Sequence, residues 1–377
     1  ALALILCLAA AGPAAAGTRV DGNDLVGTVA AAYSPLGGSG NRKLVRDADG
    51  YWYAVWLGNI SSQYRVYMNK SQNTDGTSWH TPVMLAGSGG LLIDTTSHTY
   101  HPWIDIDRTN GKLHLVFQVG GDDLYYAKLV SLSNWSSASY WKNLQETASG
   151  PEVFASATGG FYTTAAHADY PPSIALDSQG SPHVAWSQNV SSTYRPYYRN
   201  GSTASGWNDT VSVSSSGLKY PTIDVDAEDR VHLFGLYYAT GKDIYWYYAD
   251  SPYTSFSGPT TIIDSATAYL YGVSAVADRD GRIHVATQAY QNPTWCPWTA
   301  YYNGSSWTET EDMDTTRNMN RPEIGVKWAP GQIGHLLMAP QFSSPNHAYI
   351  WEWTGSAWGP SGGADTNEYP ADYRVAV

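Results

Sequence analysis

The sequence predicts an all-β fold, a β-propeller of four-stranded antiparallel blades, with six blades favoured and seven as the alternative. Three observations predict it. A long motif recurs, reading Tyr170-Pro-Pro-Ser-Ile-Ala-Leu-Asp-Ser-Gln-Gly-Ser-Pro-His-Val-Ala-Trp186 and again Tyr220-Pro-Thr-Ile-Asp-Val-Asp-Ala-Glu-Asp-Arg-Val-His-Leu-Phe-Gly-Leu236. Copies recur at about fifty residues, each with short apolar runs and a tight turn, as in a radial or stacked β array. Past the N-terminus, no segment carries apolar residues at helical spacing between caps.

Weaker copies begin at His101-Pro102, Tyr271 and Arg321-Pro322, and another spans 43–56 with Tyr53 where the others carry His. Within the unit 169–217, Ser173–Leu176 reads as a first strand and Asp177–Gly180 as a turn, Gly being free to take positive φ. His183–Trp186 is a second strand. Tyr194–Arg199 alternates aromatic and polar residues and ends at the turn signal Asn200-Gly201. Trp207–Val213 makes a fourth strand. Packing between wedge-shaped blades needs large flat side chains, which accounts for 16 Trp and 29 Tyr.

Residues 1–17 read as a secretory signal peptide, an apolar core followed by small residues. It is too short to span a bilayer. Residues 18–377 read as one propeller domain, secreted and without membrane insertion. Leu25–Tyr33 is a candidate for the last blade's outer strand, closing the ring. Glu368–Val377 looks like the start of another repeat and is the source of the seven-blade alternative. Removing the signal leaves Cys296 alone, so no internal disulfide is expected. The formal net charge of −12 argues against nucleic acid and anionic membranes, which want a basic face. Seven Asn-X-Ser/Thr sequons allow glycosylation. No metal-binding or nucleotide-binding motif is present, and no cofactor is expected.

Five of the ten histidines, His114, His183, His232, His284 and His335, occupy one repeat position. A group that recurs once per blade packs the blade, whereas a catalytic site needs each group once. The same logic assigns Asp107, Asp177, Asp226 and Asp278 to turns. His80, His98, His101, His167 and His347 remain. Three of these fall at or beside Gly87–Thr99 and Gly150–Ala168, where the repeat spacing lengthens. Such connections share the face whose central funnel holds ligands in propellers. The residues just before each first strand should ring that funnel: Lys43, His101, Tyr170, Tyr220, Tyr271 and Arg321. Tyr stacks on sugar rings, and Arg pairs with a uronate or sulfate.

The pattern Pro-x-Ile-x-x-Asp-x-x-Gly-x-x-His-Val resembles the BNR-repeat, sialidase-like propeller superfamily. The Ser-x-Asp-x-Gly-x-x-Trp boxes and Phe-Arg-Ile-Pro of sialidases are absent. The stretch Ala166-His167-Ala-Asp-Tyr170-Pro171 through Gly180-Ser-Pro-His183-Val184 is similar to polysaccharide lyase propellers, including ulvan lyases. That resemblance implies a His at the place of His167 and a second near Gln188 or Gln118, with a Tyr and an Arg completing the site. Neither glutamine position is His, so His98 or His101 would have to supply a second imidazole. On this basis the candidate catalytic residues are His101, His167, Tyr170, Tyr220 and Arg321. Three functions stay open: a secreted protein binding a glycan or polysaccharide in its funnel, a lyase acting on uronate polysaccharides, and a non-catalytic envelope or interaction scaffold.

Overall fold

The computed structural model describes residues 44–156, 171–310, 322–329, 332–340, 348–353 and 358–360, except 61–62, 75, 77, 108, 122, 238, 278–280 and 292–293. Among them the chain forms six antiparallel sheets, each from one continuous stretch. The first runs Leu44–Arg46, Trp52–Ile60, Gln63–Lys70 and Val83–Gly87, with Ile93–Asp94 added in parallel. The second runs Thr99–Asp107, Lys112–Val119, Asp123–Leu129 and Glu152–Ser156. The third runs Ser173–Leu176, Pro182–Val190, Thr193–Ser202 and the short pieces Gly206–Trp207 and Val211–Ser212. The fourth is Leu218–Val225, Val231–Tyr237, Asp243–Ala249 and Ser257–Asp264. The fifth is Tyr269–Ala277, Ile283–Gln291, Thr294–Tyr302 and Trp307–Thr310. The sixth is Glu323–Ala329, Gln332–Pro340, Ala348–Trp353 and Trp358–Pro360. The first strands of consecutive sheets lie side by side in chain order, as the inner strands of a propeller do.

This order gives the molecule two faces. Inner strands start on the upper face, which also carries the hairpins between second and third strands. The turns between first and second strands lie on the lower face. Three expectations change. Asn200-Gly201 sits inside the strand Thr193–Ser202, and the turn follows at 203–205 before Gly206 (φ 80°). Residues 157–168 of the expected insertion lie outside the described residues, and since Glu152–Ser156 is already the outer strand, part of the second sheet's extra length falls at 130–150, on the lower face. Buried Lys128 ties that segment down, bonding Glu146 at 2.7 Å, the Leu144 carbonyl at 2.7 Å and Thr203 at 2.9 Å. The sixth sheet takes Trp358–Pro360 as its fourth strand. Leu25–Tyr33 and Glu368–Val377 lie outside the described residues.

One side-chain relay repeats across the sheet interfaces. Asp226 accepts the Glu228 and Arg230 amides on Oδ1, closing the lower turn, and meets His232 Nε2 at 2.9 Å with Oδ2. The indole N–H of Trp246, which can only donate, bonds His232 Nδ1 at 3.1 Å. Neutral His232 therefore carries its proton on Nε2 and donates to Asp226. Trp246 then packs edge-on against Trp307 of the next sheet, centroids 5.3 Å apart. The third sheet repeats this: Asp177 bonds His183 at 3.4 Å, His183 bonds Tyr198 at 2.6 Å, and Tyr198 packs on Phe256 at 4.9 Å. In the second sheet His114 bonds Tyr126 at 2.7 Å, and Tyr126 packs on Trp207 at 5.0 Å. There Asp107 only closes its turn. In the first sheet the Tyr53 hydroxyl donates to Asp47 at 3.0 Å, so Tyr fills the histidine's role. His114, His183, His232 and His284 are all buried. Burial, with Lys128 and Lys112 nearby, holds His114 well below the usual imidazole range.

Neighbouring sheets are also stitched directly. Asp105 accepts the Leu176 amide at 3.0 Å and Asp224 accepts the Ala277 amide at 2.8 Å. Below, Asp229 accepts both the Ser178 amide and its hydroxyl at 2.7 Å. Gly180 (φ 72°) packs so close to Asp107 that a Cβ would lie 2.3 Å from its Oδ2, so this turn needs glycine for both conformation and space.

The relay makes stability depend on acidity. Burial pushes the Asp177 and Asp226 carboxyls up, but the bonds from His183, His232 and turn amides outweigh it, leaving both below the usual carboxylate range. A depressed folded-state value gives stability that is present above the unfolded value, about 3.9, and lost as pH falls through the folded value. Asp226→Asn should therefore lower the melting temperature at neutral pH and flatten its fall in acid, while His232→Ala should cost ~1–3 kcal/mol. Melting curves from neutral to acid pH check this. Parallel slopes in wild type and Asp226→Asn would contradict the assignment.

Candidate functional site

On the upper face, three inner strands share a local irregularity. Their ladders skip two residues, between Tyr100 and Trp103, between Lys219 and Thr222, and between Tyr271 and Ser274. The first skipped residue has positive φ: 49° at His101, 52° at Tyr220 and 70° at Gly272. Pro102 and Pro221 follow, with no N–H to give the ladder. His101 and Tyr220 are thus equivalent, as the repeat requires. Their counterpart in the fifth sheet is Gly272 and not Tyr271, since Tyr271 still pairs with Gln288 before the skip, as Tyr100 pairs with Gln118. A non-glycine residue at such φ is uncommon and marks a local constraint.

Both equivalent side chains are buried, His101 to 3% exposure and Tyr220 to 5%. Tyr220 lies in an apolar cluster with Phe234, Leu236, Ile244 and Leu270, which occupies its ring. His167, Tyr170 and Arg321 lie outside the described residues, as does His347. His80 packs against Trp135.

What the structure does assemble is a cluster where the first and second sheets meet. Tyr64, His98, Tyr100 and His101 form a chain of ring contacts. His98 stacks on Tyr100 at 5.7 Å and lies 5.5 Å from Tyr64, Tyr64 lies 5.7 Å from Tyr100, and Tyr100 lies 5.9 Å from His101. The insertion 88–98 delivers His98, and buried Arg65 anchors it by donating to the carbonyls of Ser97 and Tyr64, both at 3.0 Å. Gly87 makes room, since a Cβ there would meet Arg65 Cδ at 2.0 Å. The Tyr64 amide donates to His98 Nδ1 at 3.2 Å. That bond fixes the tautomer, so neutral His98 carries its proton on Nε2. Burial, then proximity to Tyr64, raises the Tyr100 phenol above its usual range and keeps it protonated. Gln118, opposite Tyr100 in the ladder, is buried and donates to the Gly120 carbonyl at 3.2 Å.

Sequence reading missed Tyr64, Arg65, Tyr100 and Arg195, though a signal for them exists. The dipeptide Tyr-Arg opens the third strand twice, as Tyr64-Arg65 and Tyr194-Arg195. Register makes them equivalent, with Gly58 opposite Arg65 and Gln188 opposite Arg195. Arg65 is held by the insertion that follows its sheet. The third sheet is followed by the short connection 213–217, which offers no such loop. Arg195 is half-buried, and its Nε has no hydrogen-bond partner among the described residues. It is a cation on the upper face at the position where, in the first sheet, Arg65 is engaged by the carbonyls of Tyr64 and Ser97. Among the described residues no group of three or more His, Cys, Asp and Glu is arranged to hold a metal ion, and no helix is long and apolar enough to cross a membrane.

No protein-family profile and no curated protein matches the sequence. Solved structures do match in fold. A PL25 ulvan lyase bound to -[GlcA(1-4)Rha3S]- is similar over 87% of this chain and 83% of its own, with 12% identity and a TM-score of 0.54. A protein of unknown function from Dyadobacter fermentans is similar over 85% of this chain and 95% of its own, with 10% identity and a TM-score of 0.53. The polysaccharide lyase Uly1 is similar over 88% and 83%, with 10% identity and a TM-score of 0.51. At these identities the likeness is one of fold, and it agrees with the propeller architecture read from the repeat.

Proposed function

We propose that the protein is a secreted, six-bladed propeller that binds an acidic polysaccharide on its upper face. The observation that carries this reading is the donor-rich character of that face. His98 offers Nε2–H, Tyr64 offers a phenol, and Arg195 offers a guanidinium whose Nε has no hydrogen-bond partner among the described residues. A uronate or sulfated glycan presents the complementary set of acceptors, and charge-assisted bonds from Arg are the strong ones. Two of the structurally similar proteins are polysaccharide lyases, one bound to an acidic glycan, which supports the same ligand class here.

A second reading, lyase activity, is favoured by the protonated Tyr100 phenol beside two imidazoles. In β-elimination a base takes the C5 proton of a uronate, and that electron pair forms the C4–C5 double bond. The C4–O bond breaks, and the leaving oxygen receives a proton. Tyr100, or Tyr170 as the sequence suggests, suits the last step. Arg195 or Arg321 would offset charge developing on the carboxylate. His98 is not the base, since its unprotonated nitrogen is taken by the Tyr64 amide. That role falls to His101 or His167.

The test is incubation with a panel of acidic and neutral polysaccharides, following both binding and the ultraviolet band of unsaturated uronates. Arg195→Ala should weaken an acidic glycan by about tenfold or more, the worth of a charged hydrogen bond, and spare a neutral one. Equal loss for both, or none, would overturn the binding reading. Growth of the ultraviolet band selects the lyase, and binding without it selects the binder. In the same protein, nitrogen NMR of the imidazole should find His98 protonated on Nε2 when neutral. Arg65→Met, which frees the loop, should weaken that preference without changing the other histidines.

A further inference from the structure

The upper end of the fifth sheet carries two of the few large hydrophobic residues that are exposed among the described residues, Tyr269 at 56% and Tyr271 at 47%. They stand two residues apart on the inner strand, on one side of it, with Leu270 buried between them. Tyr271 meets Trp295 edge-on, with centroids 5.0 Å apart, and Trp295 lies 4.6 Å from Tyr290. Tyr290 is the ladder partner of Tyr269. Lys242, from the preceding sheet's hairpin, places its Nζ 5.6 Å from the centre of the Tyr269 ring and donates to the Ala266 carbonyl at 3.1 Å.

The repeat explains why these rings are open. Tyr271 and Tyr100 occupy one register position, each just before the bulge and each opposite a buried glutamine, Gln288 or Gln118. Tyr100 is covered, because the insertion 88–98 brings His98 onto it. The connection before Tyr271 is only the short stretch 265–268, and both Tyr269 and Tyr271 are left exposed. A packing position has been left uncovered and filled with a large amphipathic ring, on the face that carries His98 and Arg195.

We propose that Tyr269, Tyr271 and Trp295, with Lys242 at the edge, form a separate sugar-binding platform for pyranose units of an acidic polysaccharide. This inference rests on the glycan-binding reading and adds a second contact for a long chain. Aromatic faces take the C–H side of a sugar ring, and the rim ammonium takes a carboxylate or sulfate. A second copy of this chain is the competing occupant. It is disfavoured because the patch combines phenols with a cation and is not a continuous apolar surface.

The test uses the full chain and a glucuronate–sulfated rhamnose polysaccharide, with affinity read by gel retardation and calorimetry. Both tyrosines are exposed, so Tyr269→Ala and Tyr271→Ala should melt like wild type. Each should weaken the polymer at least fivefold, the double variant more, and Tyr271→Phe should stay near wild type. If Arg195→Ala weakens the polymer while both tyrosine variants bind like wild type, the platform is overturned and the binding reading stands. If the wild type does not bind the polymer, both fall. Loss of self-association in the tyrosine variants, by light scattering, with unchanged glycan affinity would assign the patch to a second copy and overturn the proposal.

Discussion

The fold depends on a polar relay that crosses from one blade into the next. An inner-strand aspartate closes its lower turn and holds a second-strand histidine. That histidine holds a third-strand aromatic, which is the surface against which the next sheet's outer strand packs. Burying a histidine and a carboxylate is costly unless each is satisfied. In the third and fourth sheets both are satisfied by groups that must be present for the blade to form, so the relay is locally self-consistent there. It also carries order outward. Fixing the histidine's tautomer fixes the aromatic ring's direction, and the ring sets the seat for Trp207, Phe256 or Trp307. A chain without an internal disulfide among its described residues holds its blades together this way, with direct stitches from Asp105 and Asp224 added near the axis.

That work is done on the lower face and in the interfaces, which leaves the upper face free to vary. There the same repeat positions do different jobs according to what covers them. Arg65 and Arg195 are equivalent, yet one is spent on holding a loop and the other has no loop to hold. Tyr100 and Tyr271 are equivalent, yet one is roofed by His98 and the other is open. Divergence among the blades is thus mostly a matter of connection length. The long segment 88–98 converts a repeated packing pattern into a unique cluster, and the short segments leave repeated residues exposed.

The scaffold was legible in the sequence because its requirements repeat. The histidine position, the turn aspartates and the strand order all follow from the motif copies. The strand Ser173–Leu176 has the bounds its apolar run implies. Turn chemistry misled at Asn200-Gly201, where cross-strand pairing to Trp207 keeps the dipeptide extended. Only 152–156 of the expected insertion is shown to be strand, and the sequence hid it because Glu152–Ser156 shows no clean alternation, its outer-strand role being set by pairing with Tyr126 and Tyr125. The site was less legible. Counting from the proline places His101 and Tyr220 correctly in register, but burial of both cannot be read from position alone. In the fifth sheet no proline marks the position, and the equivalent residue is Gly272 and not Tyr271. Tyr64 and Arg195 escaped notice because their Tyr-Arg repeat lies in a third strand, outside the motif that defined the blades.

The chemistry of the assembled cluster follows from where its protons are held. A backbone amide occupies the one imidazole nitrogen of His98 that could accept a proton, and burial keeps Tyr100 neutral. Neutral His98 therefore carries its proton on Nε2, and Tyr100 keeps its phenolic proton. A surface built this way is suited to gripping carboxylate, sulfate and hydroxyl oxygens. It becomes an elimination catalyst only with an additional group that accepts a carbon-bound proton. In the lyase reading that acceptor is a group other than His98. Because the amide of Tyr64 bonds Nδ1 of His98, the backbone of one blade sets the tautomer of a side chain delivered by the connection to the next.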